Sequence, residues 1–115
     1  MQLKEKGKQG EELAKQYYQD KGYVFLRSNF TIQGGELDLL MKKGKNLVAI
    51  EVKYLDTIDE FDDYITPHKM RALERALGSF LQDVDDSEYD EIRIDVVLVK
   101  GGKVIEVYED ITGDF

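Results

Sequence analysis

Two short apolar stretches with alternating side chains, joined by a glycine turn, constrain the fold of this chain more than any other feature. Residues 35–41 read GELDLLM and residues 47–53 read LVAIEVK. Apolar residues that recur with a period of two between turn residues are typical of β-strands. A two-residue turn at Gly44 and Lys45 pairs position 43 with position 46. The sequence therefore predicts an antiparallel hairpin in which the numbers of opposed residues sum to 89.

This register places two carboxylates opposite each other. Asp38 lies across from Glu51, and Glu36 lies across from Lys53. Directly opposed residues are about 5 Å apart, so the two carboxylates repel each other. A divalent cation between them turns that repulsion into coordination, because Mg²⁺ binds carboxylate oxygens and keeps its other positions for water and phosphate. Lys53 points to the same side as Glu51, where its ammonium is able to steady a phosphate or an attacking hydroxide. An exposed sheet face with ordinary charges is the alternative that the hairpin alone leaves open.

The same residues resemble a known family. Asp38, followed after a hairpin by Glu51-Val52-Lys53, matches the D…(D/E)xK signature of the PD-(D/E)xK nuclease superfamily. The longer string GGELDLL at 34–40, with VAIEVK at 48–53, is similar to the YraN family of predicted bacterial endonucleases, which are relatives of archaeal Holliday junction resolvases. The resemblance implies a restriction-endonuclease-like core. It also implies an endonuclease that depends on Mg²⁺ or Mn²⁺ and acts on DNA, in particular on branched or junction DNA.

The resemblance assigns catalytic and metal-binding roles to four residues and one backbone carbonyl. Asp38 and Glu51 would hold the metal together with the carbonyl of Val52. Lys53 would stabilise charge on the scissile phosphate and orient the attacking water. Glu11 corresponds to the glutamate of the family's opening GE…A pattern, which extends toward the metal and would join the catalytic group. Without the resemblance, Glu11 is simply an acidic residue near a helix N-terminus that compensates the macrodipole.

Nucleic-acid contacts are predicted for five basic residues. Lys69 stands where the family has a lysine near a helix start, and Arg27 lies in a stretch similar to the family's GY…RN segment. The full set comprises Arg27, Lys42, Lys45, Lys69 and Arg71. Basic side chains are equally typical of ordinary solvated surfaces. The family commonly has an arginine two residues after the lysine of its signature, and Leu55 stands there in this chain, so one expected phosphate contact is missing.

The charge distribution weighs against tight DNA binding. The net charge is −8, with ten Lys/Arg against seven Asp/Glu in residues 1–53 but six against seventeen in residues 54–115. Nucleic-acid-binding proteins usually present a basic surface, and here such a surface is only local. The acidic half and Leu55 favour two alternatives that stay open. One is a nuclease-fold module that binds nucleic acid or protein without cutting, and the other is a protein-interaction domain that uses its acidic loops.

Length and composition set broader limits. A chain of 115 residues is expected to form one domain, residues 1–115, because it is able to bury one core but not two. The sequence has no cysteine, which excludes disulfides, thiolate zinc sites and cysteine nucleophiles. No apolar run reaches the length of a membrane span, so we expect a cytoplasmic protein without a membrane partner. Resolvases of the family act as dimers, so a homodimer is a further expectation.

The remaining residues predict a mixed α/β fold (an α+β mixed sheet with helices packed on it). The predicted elements are a helix over 1–21 weakened by Gly7 and Gly10, strands over 23–32, 36–41 and 47–54, a helix from Pro67 to about Gln82 capped by Thr66, and strands over 92–99 and 104–108. Residues 54–65 are predicted to form a loop. The order of the predicted helices and strands along the chain, α-β-β-β-α-β-β, matches the core that the resemblance implies.

Three further expectations concern individual positions. Leu37, Leu39 and Met41 are predicted to share one face of their strand. Asp95 lies in an apolar strand, so we expect it to be hydrogen-bonded or close to the site. His68 is the only histidine in the sequence, and we expect it to be solvated.

Overall fold

The computed structural model describes residues 3–55 and 65–111, with side chains from residue 7 onward. Its elements are α1 (Leu3–Asp20), β1 (Val24–Ile32), β2 (Gly35–Lys43), β3 (Asn46–Tyr54), α2 (Pro67–Leu81), β4 (Glu91–Lys100) and β5 (Lys103–Tyr108). The strands form a sheet in the order β1-β2-β3-β4-β5. The β3–β4 pairing is parallel, and the other three pairings are antiparallel. The predicted fold class and element order are confirmed.

The β2–β3 hairpin has the predicted register. Lys43 pairs with Asn46, and the ladder runs back to the pair Leu39–Ile50. Gly44 in the turn has φ 60°, a left-handed conformation that glycine adopts without steric cost. The ladder ends at this pair, so neither of the predicted pairs Asp38–Glu51 and Glu36–Lys53 is part of it. Glu36 pairs with Thr31 of β1.

The two larger apolar cores among the described residues lie on opposite faces of the sheet, and each is covered by one helix. A third, smaller cluster consists of Leu55, Val96 and Leu98. Ile50 packs with Ala14 and Tyr18 of α1, whereas Ala49 packs with Leu73 of α2. Because neighbouring strand residues point to opposite faces, the two helices lie on opposite sides of the sheet. Residues 94–99 of β4 are all buried, as expected for a strand that is covered on both faces.

The predicted grouping of Leu37 with Leu39 and Met41 is wrong. Leu37 packs in the core under α2, while Leu39 and Met41 pack in the core under α1. The ladder between β2 and β3 stops at Leu39, and β2 continues toward Gly35 paired with β1. A strand that is hydrogen-bonded on one side only is free to twist, and the alternation of faces breaks there. Asp38 stands at this break.

The two glycines of α1 do not interrupt the helix, which begins at Leu3 and includes Gly7 and Gly10. Gly10 is buried, and a Cβ at this position would lie 3.3 Å from Cγ1 of Val52. The absent side chain lets α1 approach β3 closely. This packing outweighs the low helix propensity of glycine.

The helix α2 begins as predicted. Thr66 has extended backbone angles, and its side-chain oxygen accepts a 3.1 Å hydrogen bond from the backbone N–H of Lys69. Pro67 occupies the first helical position, where its missing N–H costs nothing. The buried residues of the helix are Met70, Leu73, Ala76 and Leu77. The cap therefore fixes the backbone of the first turn of α2, to which Lys69 belongs.

The segment before α2 is described only in part. Tyr54 ends β3, and Leu55 is buried with its N–H donating a 2.7 Å hydrogen bond to the carbonyl of Val99. The rest of the predicted loop, residues 56–64, lies outside the described residues. Within the two described ranges, no helix has the length and apolar character that a membrane span requires.

Asp95 is fully buried and fully engaged in hydrogen bonds. Its carboxylate accepts from the hydroxyl of Tyr18, from Nε and Nη2 of Arg93 at 3.0 and 3.2 Å, and from the backbone N–H of Asp110 at 2.9 Å. Burial and the negative charge of Asp95 raise the pKa of Tyr18, so its hydroxyl keeps the proton that it donates. Asp95 pairs with Ile50 in the sheet and shares its α1-covered face, so this network is structural.

Candidate active site

A cavity of about 490 Å³ lies where β3 ends and α2 begins. β2 contributes Asp38 to its lining, β3 contributes residues 51–53, and the start of α2 contributes His68 and Lys69, next to the capping residue Thr66. Because β3 and β4 are parallel, the chain has to cross back along the sheet between them, and α2 lies on this crossover.

The carboxylate of Asp38 is held by the neighbouring strand. Its Oδ2 accepts a 2.8 Å hydrogen bond from the backbone N–H of Val52. This bond follows directly after the last ladder pair, Leu39–Ile50, so the side chain of Asp38 uses an amide that the ladder does not. Burial raises the pKa of Asp38 even though the bond from Val52 lowers it. The carboxylate is thus fixed in one orientation, but its negative charge is incompletely stabilised.

Glu51 lies beside Asp38 and is even less well satisfied. Its side chain is 12% exposed, and its Oε2 is buried without a hydrogen-bond partner among the described residues. Its Oε1 lies 3.4 Å from Nζ of Lys69. Burial, and after it the negative charge of Asp38, raise the pKa of Glu51 to about 8. The pair therefore favours a bound positive charge, whether that charge is a proton, an ammonium or a metal ion.

Lys53 is exposed and lines the same cavity as the two carboxylates. It lies two residues beyond Glu51 on β3, and the alternation of a strand directs both side chains to the same face. The structure thus brings Asp38, Glu51 and Lys53 together in one cavity.

Glu11 approaches Asp38 from the other face of the sheet. It lies on α1 and lines a neighbouring cavity of about 270 Å³ together with Asn29. Its Oε1 is buried and has no hydrogen-bond partner among the described residues. Burial, followed by the charge of Asp38, raises the pKa of Glu11. Glu11 is therefore close enough to Asp38 to interact with its charge, but it lies outside the cavity that contains Glu51.

The donor set at the cavity fits a hard divalent cation. Mg²⁺ is commonly held by one or two carboxylates and completes its coordination with water and phosphate oxygens. Asp38 and Glu51 supply two carboxylates, and a cation would satisfy the orphaned Oε2 of Glu51. Within residues 3–55 and 65–111, no three His, Cys, Asp or Glu side chains form a cluster suited to a metal. The carboxylates of Asp38 and Glu51 are therefore the two anionic ligands that this cavity offers to a cation, and Val52 lines the same cavity.

The predicted nucleic-acid-binding residues are dispersed. Lys69 lines the cavity. Lys42 is four residues from Asp38 along β2, or about 13 Å at 3.3 Å per residue, and Lys45 is in the turn beyond it. The remaining two are exposed, Arg27 on β1 and Arg71 on α2. Their contacts with nucleic acid stay predictions.

His68 and Thr66 both line the cavity, which the sequence did not predict. His68 is exposed, as predicted, yet it lines the cavity beside Lys69. Thr66 was predicted to cap the helix but was not predicted to line the cavity. No local pattern in the sequence gives these positions, because they depend on how the chain returns from β3 to the parallel strand β4.

Comparison with known proteins places the chain among relatives of similar length. Residues 10–99 match the family described as Uncharacterised protein family UPF0102. The chain is 36% identical over 113 residues to a UPF0102 protein of Christiangramia forsetii, with 92% of each chain covered. It is 39% identical over 104 residues to a UPF0102 protein of Syntrophomonas wolfei, with 87% of this chain and 90% of the relative covered. The matched range includes every cavity residue named above.

Proposed function

This chain belongs to the UPF0102 family, and we propose that it is a Mg²⁺- or Mn²⁺-dependent endonuclease of the PD-(D/E)xK type that hydrolyses phosphodiester bonds of branched or junction DNA. The observation that carries the proposal is the convergence of Asp38, Glu51 and Lys53 on one open cavity. These three residues are the D…ExK pattern of the sequence. A hairpin built for stability alone has no reason to bring two carboxylates together in a partly buried position.

In this proposal, Asp38 and Glu51 hold the divalent cation, and the backbone carbonyl of Val52 adds a ligand. The cation, when bound, polarises a phosphate oxygen and makes water a better nucleophile near neutral pH. The hydrogen bond from the N–H of Val52 keeps the Asp38 carboxylate in one orientation before any cation arrives. A site that is ordered in advance loses little conformational freedom on binding.

Lys53 acts on the phosphate and on the attacking water. Its ammonium is exposed in the same cavity as the carboxylates, so it is able to donate hydrogen bonds to a phosphate oxygen. A positive charge at that position favours the additional negative charge of the transition state. Glu11, on the other side of Asp38, adds negative charge near the cation site and helps to hold it.

The acidity of the chain is consistent with a requirement for metal. The net charge of −8 and the carboxylates of Asp38 and Glu51 repel a DNA backbone. Neutralising the two carboxylates with a divalent cation removes the local part of this repulsion. A homodimer with two such sites would cut opposite strands of a junction, as in the resolvases that the sequence resembles.

A second function is favoured by a specific observation. Leu55, which replaces a family arginine, is buried in the core, so this position offers no contact to a phosphate. A module that binds nucleic acid or protein on a nuclease fold, without cutting, is therefore the competing proposal.

Cleavage assays separate the two proposals. A four-way junction, single-stranded DNA and duplex DNA are incubated with the full chain in Mg²⁺, Mn²⁺ or EDTA. We expect metal-dependent cleavage of the junction that is lost in Asp38→Asn and Lys53→Met. The matched controls are Asp86→Asn and Lys103→Met, which are exposed residues of a loop and of β5 and should retain activity. DNA binding without cleavage under all conditions would favour the non-cleaving module and overturn the nuclease.

A further inference from the structure

Among the described residues, Lys69 places its ammonium in contact with the carboxylate pair. Its Nζ lies 3.4 Å from Oε1 of Glu51. The two partners differ in exposure, because the side chain of Glu51 is 12% exposed and that of Lys69 is 45% exposed. The carboxylate is thus enclosed by the protein, while the lysine reaches it from the mouth of the cavity.

The backbone of Lys69 is anchored, and its side chain is long and flexible. Its N–H donates to the side-chain oxygen of Thr66 at 3.1 Å. Further along α2, Nη2 of Arg75 donates to the carbonyl of Gly34 at 3.1 Å, which ties the helix to the start of β2. The four-carbon stem of a lysine lets the ammonium move by several ångströms without any movement of the helix.

A divalent cation and the Lys69 ammonium compete for the same oxygens. The Glu51 carboxylate is able to neutralise only one of these two positive charges. A cation bound by Glu51 would lie close to the ammonium of Lys69, whose Nζ is 3.4 Å from Oε1 of the same carboxylate, and like charges at short range repel each other. Because the side chain of Lys69 is 45% exposed, its ammonium is free to move toward solvent when the carboxylate is occupied. Lys53 and His68 line the same cavity.

We propose that Lys69 is an internal counter-ion of the metal-free site that is displaced by the divalent cation and then binds a phosphate of the DNA. This inference rests on the proposed function and deepens it. The exchange makes DNA binding conditional on metal, because Lys69 is engaged with Glu51 until the cation takes its place. The lysine therefore lowers the affinity for metal and raises the affinity for DNA only in the metal-bound state.

The first test measures the Mg²⁺ affinity of the full chain by calorimetry at pH 9. Lys69→Met removes the ammonium and keeps the length of the side chain. Arg71→Met is the matched control, since Arg71 is exposed two residues along the same helix and reports the general effect of losing one positive charge. We expect Lys69→Met to bind Mg²⁺ about fivefold more tightly than Arg71→Met does.

The second test measures the affinity for a labelled four-way junction at pH 9 and low salt, in a Lys53→Met background that prevents cleavage. We expect the additional Lys69→Met substitution to weaken binding about fivefold in Mg²⁺ and less than twofold in EDTA. A residue with a purely structural role would weaken binding equally in both. Lys69→Gln repeats both tests with a polar side chain, and circular dichroism verifies that the variants are folded.

The outcomes distinguish this inference from the proposed function. Equal Mg²⁺ affinities of Lys69→Met and Arg71→Met, or equal losses of DNA affinity with and without Mg²⁺, overturn the role of Lys69 and leave the nuclease proposal intact. Mg²⁺ affinity that is unchanged in Asp38→Asn overturns the metal site itself, and both proposals with it.

Discussion

The backbone N–H of Val52 donates a 2.8 Å hydrogen bond to Oδ2 of Asp38, across the two strands of the central hairpin. An acidic side chain thereby continues a ladder that ends one residue earlier, at the pair Leu39–Ile50. The amide of Val52 would otherwise remain unpaired in a partly buried position. The same bond that completes the hairpin therefore orients the carboxylate that we propose to bind metal.

Two substitutions of Asp38 differ in whether they keep the hydrogen bond from Val52. Asp38→Asn retains an oxygen that is able to accept from Val52, whereas Asp38→Ala leaves that amide without its partner. We expect Asp38→Ala to lower the free energy of unfolding by about 1–2 kcal/mol relative to Asp38→Asn, measured by urea denaturation. Both variants should lose at least about tenfold in Mg²⁺ affinity, because each removes one anionic ligand. Equal stabilities of the two variants would contradict the structural role of the bond.

The raised pKa of Glu51 predicts that the metal-free protein becomes less stable as the pH rises from about 4.5 to about 8. In this range the folded state retains a proton that the unfolded state has already released, so each increase in pH favours unfolding. Asp38 and Glu11, whose pKa values are also raised, act in the same direction. We expect Glu51→Gln to lose stability less steeply than wild type when urea denaturation is measured at pH 5, 7 and 9.

Metal should reverse this loss. At pH 9, above the raised pKa of Glu51, Mg²⁺ that binds only the folded state stabilises the protein by mass action. We expect Mg²⁺ to raise the melting temperature of wild type but not that of Glu51→Gln. Glu106→Gln is the matched control, because Glu106 is an exposed residue of β5. If Glu106→Gln and Glu51→Gln change the pH dependence equally, the effect does not originate at the site.

The hairpin illustrates how much the sequence alone is able to predict. Period-two alternation and a glycine turn were sufficient for the register that brings Asp38 next to Glu51, because both signals are local. The face occupied by Leu37 was not predictable in this way, since it depends on where the β2–β3 ladder ends. The contact between Lys69 and Glu51 was missed for a related reason. It depends on how the connection after β3 returns the chain to the sheet, which no local pattern encodes.

The buried network around Asp95 is expected to contribute to stability and not to metal binding. Removing its charge leaves Arg93, whose side chain is 25% exposed, without its carboxylate partner in a largely enclosed position. We expect Asp95→Asn to lower the free energy of unfolding by about 3 kcal/mol, and Tyr18→Phe to lower it by about 1 kcal/mol.

The measurements for this network are urea denaturation and Mg²⁺ calorimetry on the folded variants. Mg²⁺ affinity should stay within about twofold of wild type in Tyr18→Phe, because Asp95 faces α1 and the cavity faces α2. The surface substitution Asp86→Asn should change stability by less than about 0.5 kcal/mol. A large loss of Mg²⁺ affinity in Tyr18→Phe would show instead that the network supports the site.

Gly35 provides a test of how α2 is positioned over the hairpin. A Cβ at Gly35 would overlap the backbone carbonyl oxygen of Ala72 and would press against Cβ of Ala76 at 3.3 Å. Because backbone cannot yield as a flexible side chain does, Gly35→Ala has to push α2 away from β2. We expect a loss of about 2–3 kcal/mol in the free energy of unfolding.

Gly78 is the matched control for Gly35, because a Cβ there would meet nothing within 4 Å and α2 gains helix propensity. Gly78→Ala should therefore stabilise the protein by up to about 1 kcal/mol. Gly35→Ala should also weaken the coupling between Mg²⁺ and DNA binding, since α2 carries Lys69 and β2 carries Asp38. A Gly35→Ala variant as stable as wild type would mean that the contact with Ala72 does not set the distance between these two elements.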